Sequence, residues 1–321
     1  MKRRQFLASA GGAVLAATTV PRALAASATL KVVATTGMIA DAVREVGGDL
    51  VEVTALMGPG VDPHAYRQTR TDILAMTRAD VVFWNGLYLE AQMEDFFGDL
   101  SRRTRVEAVG EAVPAINLLA HDDYADRFDP HVWMNPTYWT HVVFAIGRAL
   151  SEIAPEHDVA FMTNAERYAS EVMRVGTYSA NMLTSVPERT RVLITAHDAF
   201  NYFGEAYGFD VVGIQGISTE SETGVNRISE LVNMIVARDI GAVFVESSVS
   251  DRSIRALVEG AAAQGHELQI GGELFSDAMG TPGTYEGTYI GMIDHNVTTI
   301  TRALGGNAPA RGLNGKLSAG S

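Results

Sequence analysis

The 321-residue sequence contains no cysteine. This absence excludes disulfide bonds, metal sites built on thiolates and a lipid anchor attached to an N-terminal cysteine. Any site for a transition metal must then be built from imidazole and carboxylate groups, which are the other common protein ligands of these ions.

Common signatures of catalysis and nucleotide binding are also missing. The sequence has no His-Glu-x-x-His, no Gly-x-Ser-x-Gly, no phosphate-binding loop and no Gly-x-Gly-x-x-Gly after a predicted strand. Metalloproteases, serine hydrolases, nucleotide hydrolases and dinucleotide-dependent enzymes that carry these motifs are therefore not predicted.

Basic residues are in the minority. The formal net charge is −13, and a surface of this sign repels nucleic acids and anionic lipids while it attracts cations. No apolar run is long enough for a stable membrane span. The sequence therefore predicts neither nucleic-acid binding nor insertion into a membrane.

The first 25 residues differ in composition from the rest. Lys2-Arg3-Arg4-Gln5-Phe6-Leu7 precede an apolar stretch rich in glycine and alanine that ends at Ala23-Leu24-Ala25, which is the pattern of a secretion signal. The paired arginines favour a twin-arginine signal, with an ordinary Sec signal as the alternative. Cleavage would remove four basic residues and change the net charge from −13 to −17. With cysteine absent, the signal predicts a soluble periplasmic protein that is not a lipoprotein.

Apolar β-rich runs alternate with amphipathic helical patterns along the remaining chain. Runs such as Leu30–Ala34 and Val192–Thr195 recur in both halves, which predicts an α/β fold of two Rossmann-like lobes with central sheets. Pro155 is followed by a stretch without proline that ends before Pro187. This stretch predicts one long rigid helix between the lobes, with an ordinary surface helix of one lobe as the alternative. The predicted limits are 26–154 for the first lobe, 155–186 for the linking helix and 187–321 for the second lobe.

The tripeptide Asp-Pro-His occurs twice, at Asp62-Pro63-His64 and Asp129-Pro130-His131, each time in a loop before a predicted helix. Proline fixes its own φ angle and restricts the residue before it, so each histidine leaves the backbone in a defined direction. One copy alone is more typical of an ordinary helix start. The repetition favours two imidazoles that bind a metal.

Two further candidates follow predicted strands of the second half. His197 comes directly after the apolar run Val192–Thr195, and Asp277 follows the strand through Ile270. Ligands of open α/β sheets bind outside the carboxyl ends of the strands, and His64 obeys the same rule, so these side chains are expected to converge. For Asp277 alone, a helix cap or a solvated carboxylate is the commoner role.

Together, three imidazoles and one carboxylate form a suitable ligand set for a divalent transition metal. The set comprises His64, His131, His197 and Asp277. Four protein ligands favour holding the ion over catalysis, because a catalytic zinc keeps one coordination position open for water. A periplasmic zinc-dependent hydrolase and a stand-alone metal buffer or chaperone are the alternatives.

Other histidines and aromatic residues are given lesser roles. Five histidines lack the context described above and are predicted to lie on the surface or on helix faces: His121, His141, His157, His266 and His295. Three aromatic residues flank ligand candidates and are predicted either to shield the site from water or to serve in ordinary packing: Trp133, Phe200 and Tyr202.

The combined motifs resemble the periplasmic metal-binding proteins of zinc and manganese ABC importers, the TroA-like or cluster A-I solute-binding family. The resemblance covers essentially the whole chain after the signal. It is carried by Asp62-Pro63-His64, by Ala79 to Leu87, by Asp129 to Pro136, by Ala196 to Phe200, by Gly216 to Glu220 and by Glu273 to Asp277. It implies two α/β lobes joined by one rigid helix, and a metal bound in the cleft between them by His64, His131, His197 and Asp277.

The resemblance further implies a binding protein that is not an enzyme and that delivers its metal to an ABC permease. A monomer is predicted. Zinc is favoured over manganese as the transported ion, because manganese prefers oxygen ligands and lies at the weak end of the Irving–Williams order. Manganese-selective members also commonly have a glutamate at the position of His197. The Gly216 to Glu220 motif, in contrast, is more similar to the mixed zinc and manganese branch.

Overall fold

The computed structural model describes residues 29–121, 124–220 and 225–318. The predicted secretion signal at residues 1–25 lies outside these ranges. Within them, every helix is too short or too polar to cross a membrane.

The first lobe is built on a parallel sheet of four strands. These are β1 (Leu30–Ala34), β2 (Val51–Ala55), β3 (Val81–Trp84) and β4 (Arg105–Ala108). Their order across the sheet is β2-β1-β3-β4. The accompanying helices are α1 (Gly37–Gly47), α2 (Arg70–Arg78), α3 (Glu94–Leu100) and α4 (Pro136–Ile153).

Both faces of this sheet are covered, as expected for parallel strands linked by helices. Successive side chains of a strand point to opposite faces. Val32 and Val81 accordingly belong to one apolar cluster, while Val33 and Val82 belong to another. The two buried faces explain why the sequence shows continuous apolar runs in place of alternation.

Helix α5 (Asp158–Leu183) follows a short turn at Pro155–His157 and connects the first lobe to the second. The strands of the second lobe are β5 (Val192–Thr195), β6 (Asp210–Gly213), β7 (Ala242–Glu246) and β8 (Gln269–Leu274). Its helices are α6 (Asn201–Tyr207), α7 (Val225–Ala237), α8 (Arg252–Ala263) and α9 (Tyr289–Ala303). Strand β5 pairs in parallel with β6, and β7 pairs in parallel with β8. Strand β5 also lies beside β7, and His197 after β5 contacts Glu246 at the end of β7, so the carboxyl ends of these strands meet.

Helix α5 packs against α1 and α4 of the first lobe and against α9 of the second. Its buried Tyr168 and Val172 lie in the same apolar cluster as Val32 of the first lobe and Phe203 of the second. A hydrophobic core therefore runs continuously through both lobes and the helix between them. The exact lobe limits, 26–154 and 187–321, stay a prediction.

The amphipathic pattern from Glu90 to Leu100 predicts a helix over all of these residues, but α3 begins only at Glu94. The cause lies in the preceding loop, where Gly86, Leu87 and Tyr88 all have positive φ angles, of 73°, 54° and 73°. The buried carboxylate of Glu90 accepts hydrogen bonds from the backbone N–H groups of Asn85 and Gly86, at 2.9 and 3.2 Å. Glu90 thus stabilises a compact loop and does not extend the helix.

This loop also supports one of the Asp-Pro-His motifs. The side-chain amide of Asn85 donates to the carbonyl oxygen of Pro130, at 3.1 Å. Glu90 additionally accepts from the hydroxyl of Thr35, at 2.6 Å. The carboxylate of Glu90 therefore joins the end of β1 to the loop after β3. Asn85 in turn joins this loop to Pro130, the residue before His131.

Burial raises the pKa of Glu90 from its ordinary 4.5 to about 7, although its hydrogen bonds favour the charged form. The native state therefore holds this proton more tightly than the unfolded chain, and the resulting stabilisation is present below pH 4.5 and lost as the pH rises through about 7. We expect the stability of the native protein relative to Glu90→Gln to fall by up to about 3 kcal/mol over this range. Urea unfolding of the metal-free proteins on both sides of the range measures it.

The matched control is Glu166→Gln, which makes the same chemical change at an exposed position of α5. Its stability difference from the native protein should not vary in the same pH window. Equal pH profiles for the native protein and Glu90→Gln would contradict the assignment of this proton to Glu90.

Candidate metal centre

Four loops bring the predicted ligands to one point. His64 lies between β2 and α2, His131 lies just before α4, His197 follows β5, and Asp277 follows β8. All four are buried, and one candidate ligand atom of each lies within 4.8 Å of those of the others. Two of the side chains belong to each lobe, so the expected convergence in the cleft is observed.

The start of α4 fixes the second Asp-Pro-His motif against this point. Asn135 caps the helix by accepting from the backbone N–H of Thr137, at 2.9 Å, and Pro136 occupies the first helical position. A short turn at Val132–Met134 follows His131 directly. The imidazole is therefore presented from backbone that is held on both sides.

The distances within the cluster are those of groups that share one small volume. The Nε2 atoms of His64 and His131 are 3.3 Å apart. The two carboxylate oxygens of Asp277 lie 3.4 Å from Nε2 of His131 and 3.1 Å from Nε2 of His197. The Asp277 carboxylate thus points toward the imidazoles and away from solvent.

Three of these atoms have no hydrogen-bond partner among the described residues. They are Nε2 of His197 and both carboxylate oxygens of Asp277. They lie close to one another, with Asp277 3.1 Å from Nε2 of His197, but none makes a hydrogen bond of good geometry, and buried polar atoms in this state need an explanation. A bound cation would satisfy all of them at once, and the donor set of imidazole nitrogen and carboxylate oxygen suits a divalent transition metal.

Two carboxylates orient the imidazoles from behind. Asp129 contacts Nδ1 of His131 at 2.7 Å and accepts from the backbone N–H of the same residue at 2.9 Å. Glu246 does the same for His197, at 2.5 Å to Nδ1 and 2.8 Å to the backbone nitrogen. With Nδ1 occupied, Nε2 of each ring is the atom that faces the centre, as in the carboxylate–histidine pairs of metal sites.

The sequence did not predict these two roles. Asp129 belongs to the second Asp-Pro-His motif. That motif predicts the geometry of the loop but does not indicate that Asp129 is the hydrogen-bond partner of His131. Glu246 is the last residue of β7. The rule that placed His197 and Asp277 at the carboxyl ends of strands applies equally to Glu246 and was the signal that could have found it.

The charges of the cluster are strongly coupled. Burial alone would discharge the imidazoles, but the attraction of Asp129 and Asp277 outweighs it and raises the pKa of His131 to about 9. Asp277 and Glu246 similarly raise the pKa of His197 well above its ordinary value in spite of burial. In turn, these imidazoles hold the pKa of Asp277 well below its ordinary value, against the effect of burial.

His64 behaves differently, because burial lowers its pKa well below the ordinary value. In the absence of metal, these pKa shifts favour a charged Asp277, protonated His131 and His197, and a neutral His64. A metal ion must displace protons from the two charged rings before it can bind, which links metal binding to proton release.

The three aromatic residues that flank ligand candidates in the sequence are all buried. The ring of Trp133 lies 5.2 Å from that of His131, and its Nε1 donates to the carbonyl oxygen of Ser276, at 2.8 Å. The hydroxyl of Tyr202 donates to the carbonyl oxygen of Asp129, at 2.8 Å. Phe200 is fully buried. Trp133 and Tyr202 each bridge a segment of one lobe to a segment of the other.

The prediction of surface or helix-face positions is wrong for His121, while His295 lies on a helix but not at the surface. His121 is buried and its ring contacts those of Tyr88 and Tyr124. His295 is buried on α9 and donates from Nε2 to the carbonyl oxygen of Glu273, at 2.8 Å. Neither joins the four-residue cluster. Two residues of the polar loop after His121, Asp122 and Asp123, lie outside the described residues.

Comparisons with known proteins agree with this geometry. The family described as "Zinc-uptake complex component A periplasmic" matches residues 32–303. The manganese-binding lipoprotein MntA of Bacillus subtilis is 48% identical over 275 residues, which are 86% of this chain and 90% of that protein. The zinc-binding protein TroA of Treponema pallidum is 43% identical over 273 residues, covering 85% and 88% of the two chains.

The solved structure of TroA from Treponema pallidum superimposes on this chain with a TM-score of 0.84. The match has 43% sequence identity and covers 86% of this chain and 99% of that one. The fold predicted from the sequence, an α/β fold of two lobes with parallel sheets, is confirmed.

The prediction of a soluble periplasmic protein that is not a lipoprotein is contradicted by these comparisons. MntA of Bacillus subtilis is named a lipoprotein, as are further relatives. The prediction depended on the absence of cysteine from the sequence. The absence of cysteine excludes only a lipid attached through an N-terminal cysteine. Since relatives are lipoproteins, it does not establish that this protein lacks a lipid anchor.

Glu246 provides a test of how the centre is held. In Glu246→Gln the side chain keeps its size but loses the charge that pairs with Nδ1 of His197, so the ring is less well oriented and a weaker donor. We expect zinc affinity to fall by about 10- to 100-fold. Competition of the purified protein with a chelator of known affinity measures the change.

Glu259→Gln makes the same substitution at an exposed position of α8 and should leave zinc affinity unchanged. If Glu246→Gln binds zinc as tightly as this control, the carboxylate behind His197 does not contribute to metal binding.

Proposed function

The chain belongs to the family described as zinc-uptake complex component A, and we propose that it holds the transported metal with His64, His131, His197 and Asp277. It is a metal-binding substrate-binding protein of an ABC importer, whose permease and ATPase are the partners that this class of protein serves. The ion is therefore a transported substrate and not a resident cofactor. A monomeric state stays a prediction.

One observation carries the proposed ligand set. Four buried side chains converge, and three of their polar atoms are orphaned. Burial of a carboxylate among imidazoles is costly unless a positive charge offsets it. A dication in the cluster would neutralise Asp277 and accept lone pairs from the imidazoles.

The mechanism that follows is capture and release without turnover. The ion exchanges its water ligands for imidazole nitrogen and carboxylate oxygen, while protons leave His131 and His197. Asp129 and Glu246 keep these rings aligned throughout. Since ligands come from four separate loops, a small shift of one loop would take a ligand from the ion and allow its transfer to the permease.

Zinc is the proposed substrate, with manganese second. Three imidazoles and one carboxylate offer at most five donor atoms, which suits zinc, whereas manganese favours six oxygen-rich ligands. The relatives divide on this point, because TroA is named for zinc and MntA for manganese. The nitrogen-rich donor set is the reason for the choice.

A hydrolase is a weaker explanation of the same residues. Catalysis would need an open coordination position with an activated water. Asp277 instead points toward His131 and His197, which is the orientation of a fourth ligand. A metal buffer or chaperone would use the same centre, but membership of an uptake-complex family favours delivery to a permease.

The ligand role of Asp277 is tested by Asp277→Asn. This change keeps the shape of the side chain but removes the only charge among the proposed ligands that can neutralise a cation. We expect zinc affinity to fall by at least about a hundredfold, more than for loss of a residue behind a ligand. Isothermal titration with zinc provides the measurement. Unaltered affinity would exclude Asp277 as a ligand.

The choice of zinc over manganese is tested by His197→Glu. Replacing a nitrogen donor by an oxygen donor should shift the zinc-to-manganese preference toward manganese by at least about tenfold. Dialysis against equal concentrations of the two metals, followed by metal analysis of the protein, measures the ratio.

His141→Glu introduces the same side chain on α4, away from the centre, and should leave that ratio unchanged. A native protein that takes up manganese in preference to zinc, or a His197→Glu variant with the native ratio, would contradict the explanation of selectivity by donor type.

A further inference from the structure

His64 differs from the other two histidines of the centre in how it is held. Among the described residues, no carboxylate contacts Nδ1 of its ring, in contrast to the pairs at His131 and His197. What holds His64 is its backbone, whose N–H donates to Asp62, at 2.9 Å. The direction of this imidazole therefore depends on the turn from Asp62 to His64.

Asp62 is in turn held from the opposite lobe. Its second carboxylate oxygen accepts from the hydroxyl of Thr219, at 2.6 Å. This is a short hydrogen bond to a charged acceptor, the type that contributes most to stability. Thr219 belongs to the Gly216–Glu220 motif, to which the metal centre itself gives no role.

The segment that carries Thr219 is anchored beside His197. The backbone N–H of Asp198 donates to the carbonyl oxygen of Gly216, at 3.2 Å, and that of Gln215 donates to the carbonyl oxygen of Ala196, at 3.0 Å. The side-chain amide of Gln215 also donates to the carbonyl oxygen of Thr219, at 3.3 Å. The segment is therefore fixed to the loop that presents His197.

From this chain of contacts we propose that Thr219 is a positioning residue for His64, which retains the bound metal by holding Asp62 across the cleft. The proposal depends on the proposed function, since it deepens the role of the same metal centre. While the hydroxyl of Thr219 bonds Asp62, the turn carrying His64 is fixed relative to the loop carrying His197. When the bond breaks, His64 is the ligand that is released first.

A neighbouring contact provides an internal comparison. The side-chain amide of Gln92 donates to the carboxylate of Glu220, at 2.7 Å, and likewise joins the two lobes. Gln92 is not part of a segment that bears a ligand. If any bond across the cleft slowed metal release, Gln92 and Thr219 would contribute equally, whereas the proposal assigns the effect to Thr219.

The experiment measures the rate of zinc release from the full, metal-loaded protein into an excess of a chromophoric chelator. Thr219→Val keeps the branched shape but loses the hydroxyl, and release should be about tenfold faster. Thr219→Ser restores the hydroxyl and should release zinc within about twofold of the native rate. Gln92→Ala should also stay within about twofold. Because Thr219→Val loses a hydrogen bond to Asp62, its metal-free form should unfold a few degrees below the native protein, and release is therefore measured well below that temperature.

Equal release from Thr219→Val and the native protein would overturn the proposal, as would an equal acceleration by Gln92→Ala. Faster release from Thr219→Ser, to the level of Thr219→Val, would also overturn it, because the hydroxyl would then not be the cause. These outcomes are distinct from failure of the proposed function, in which the native protein itself would not bind zinc or manganese through Asp277.

Discussion

The buried carboxylate of Asp277 is the constraint on which the arrangement of this protein depends. A charge with no solvent and no hydrogen-bond donor is tolerated only beside a positive charge. In the absence of metal, the raised pKa values of His131 and His197 favour protons on these two rings, which lie 3.4 and 3.1 Å from Asp277. Metal and protons therefore compete for the same negative site, and the folded chain is already arranged for a cation.

The fold serves this constraint through parallel strands. Loops at the carboxyl ends of β2, β5, β7 and β8 supply His64, His197, Glu246 and Asp277 from two lobes. Rings that carried no hydrogen bond would rotate and lose the alignment of Nε2. Asp129 and Glu246 prevent this by binding both the ring and the backbone of the histidine that they orient.

The sequence predicted the four proposed ligands because their signals were local. Proline before His64 and His131, and an apolar strand before His197, are visible within a few residues. The position of Glu246 at the end of a strand was visible in the sequence, but its partner was not. The partner of Thr219 was not visible either, because the contacts of Glu246 and Thr219 span 49 and 157 positions. The bounds of β1 and β5 were predicted correctly for the same reason, whereas the start of α3 depended on the burial of Glu90 against Asn85 and Gly86.

The continuous core limits how the metal can be released. Wide opening of the lobes would separate the apolar contacts that Val32, Val172 and Phe203 share through α5, and exposing apolar surface costs about 25 cal/mol per Å². Breaking one hydrogen bond between Thr219 and Asp62 costs far less. A permease that competes for Asp62 or Thr219 would therefore loosen His64 while the core stays intact. Release through a local change at one ligand is thus more consistent with this architecture than a hinged separation of two independent domains.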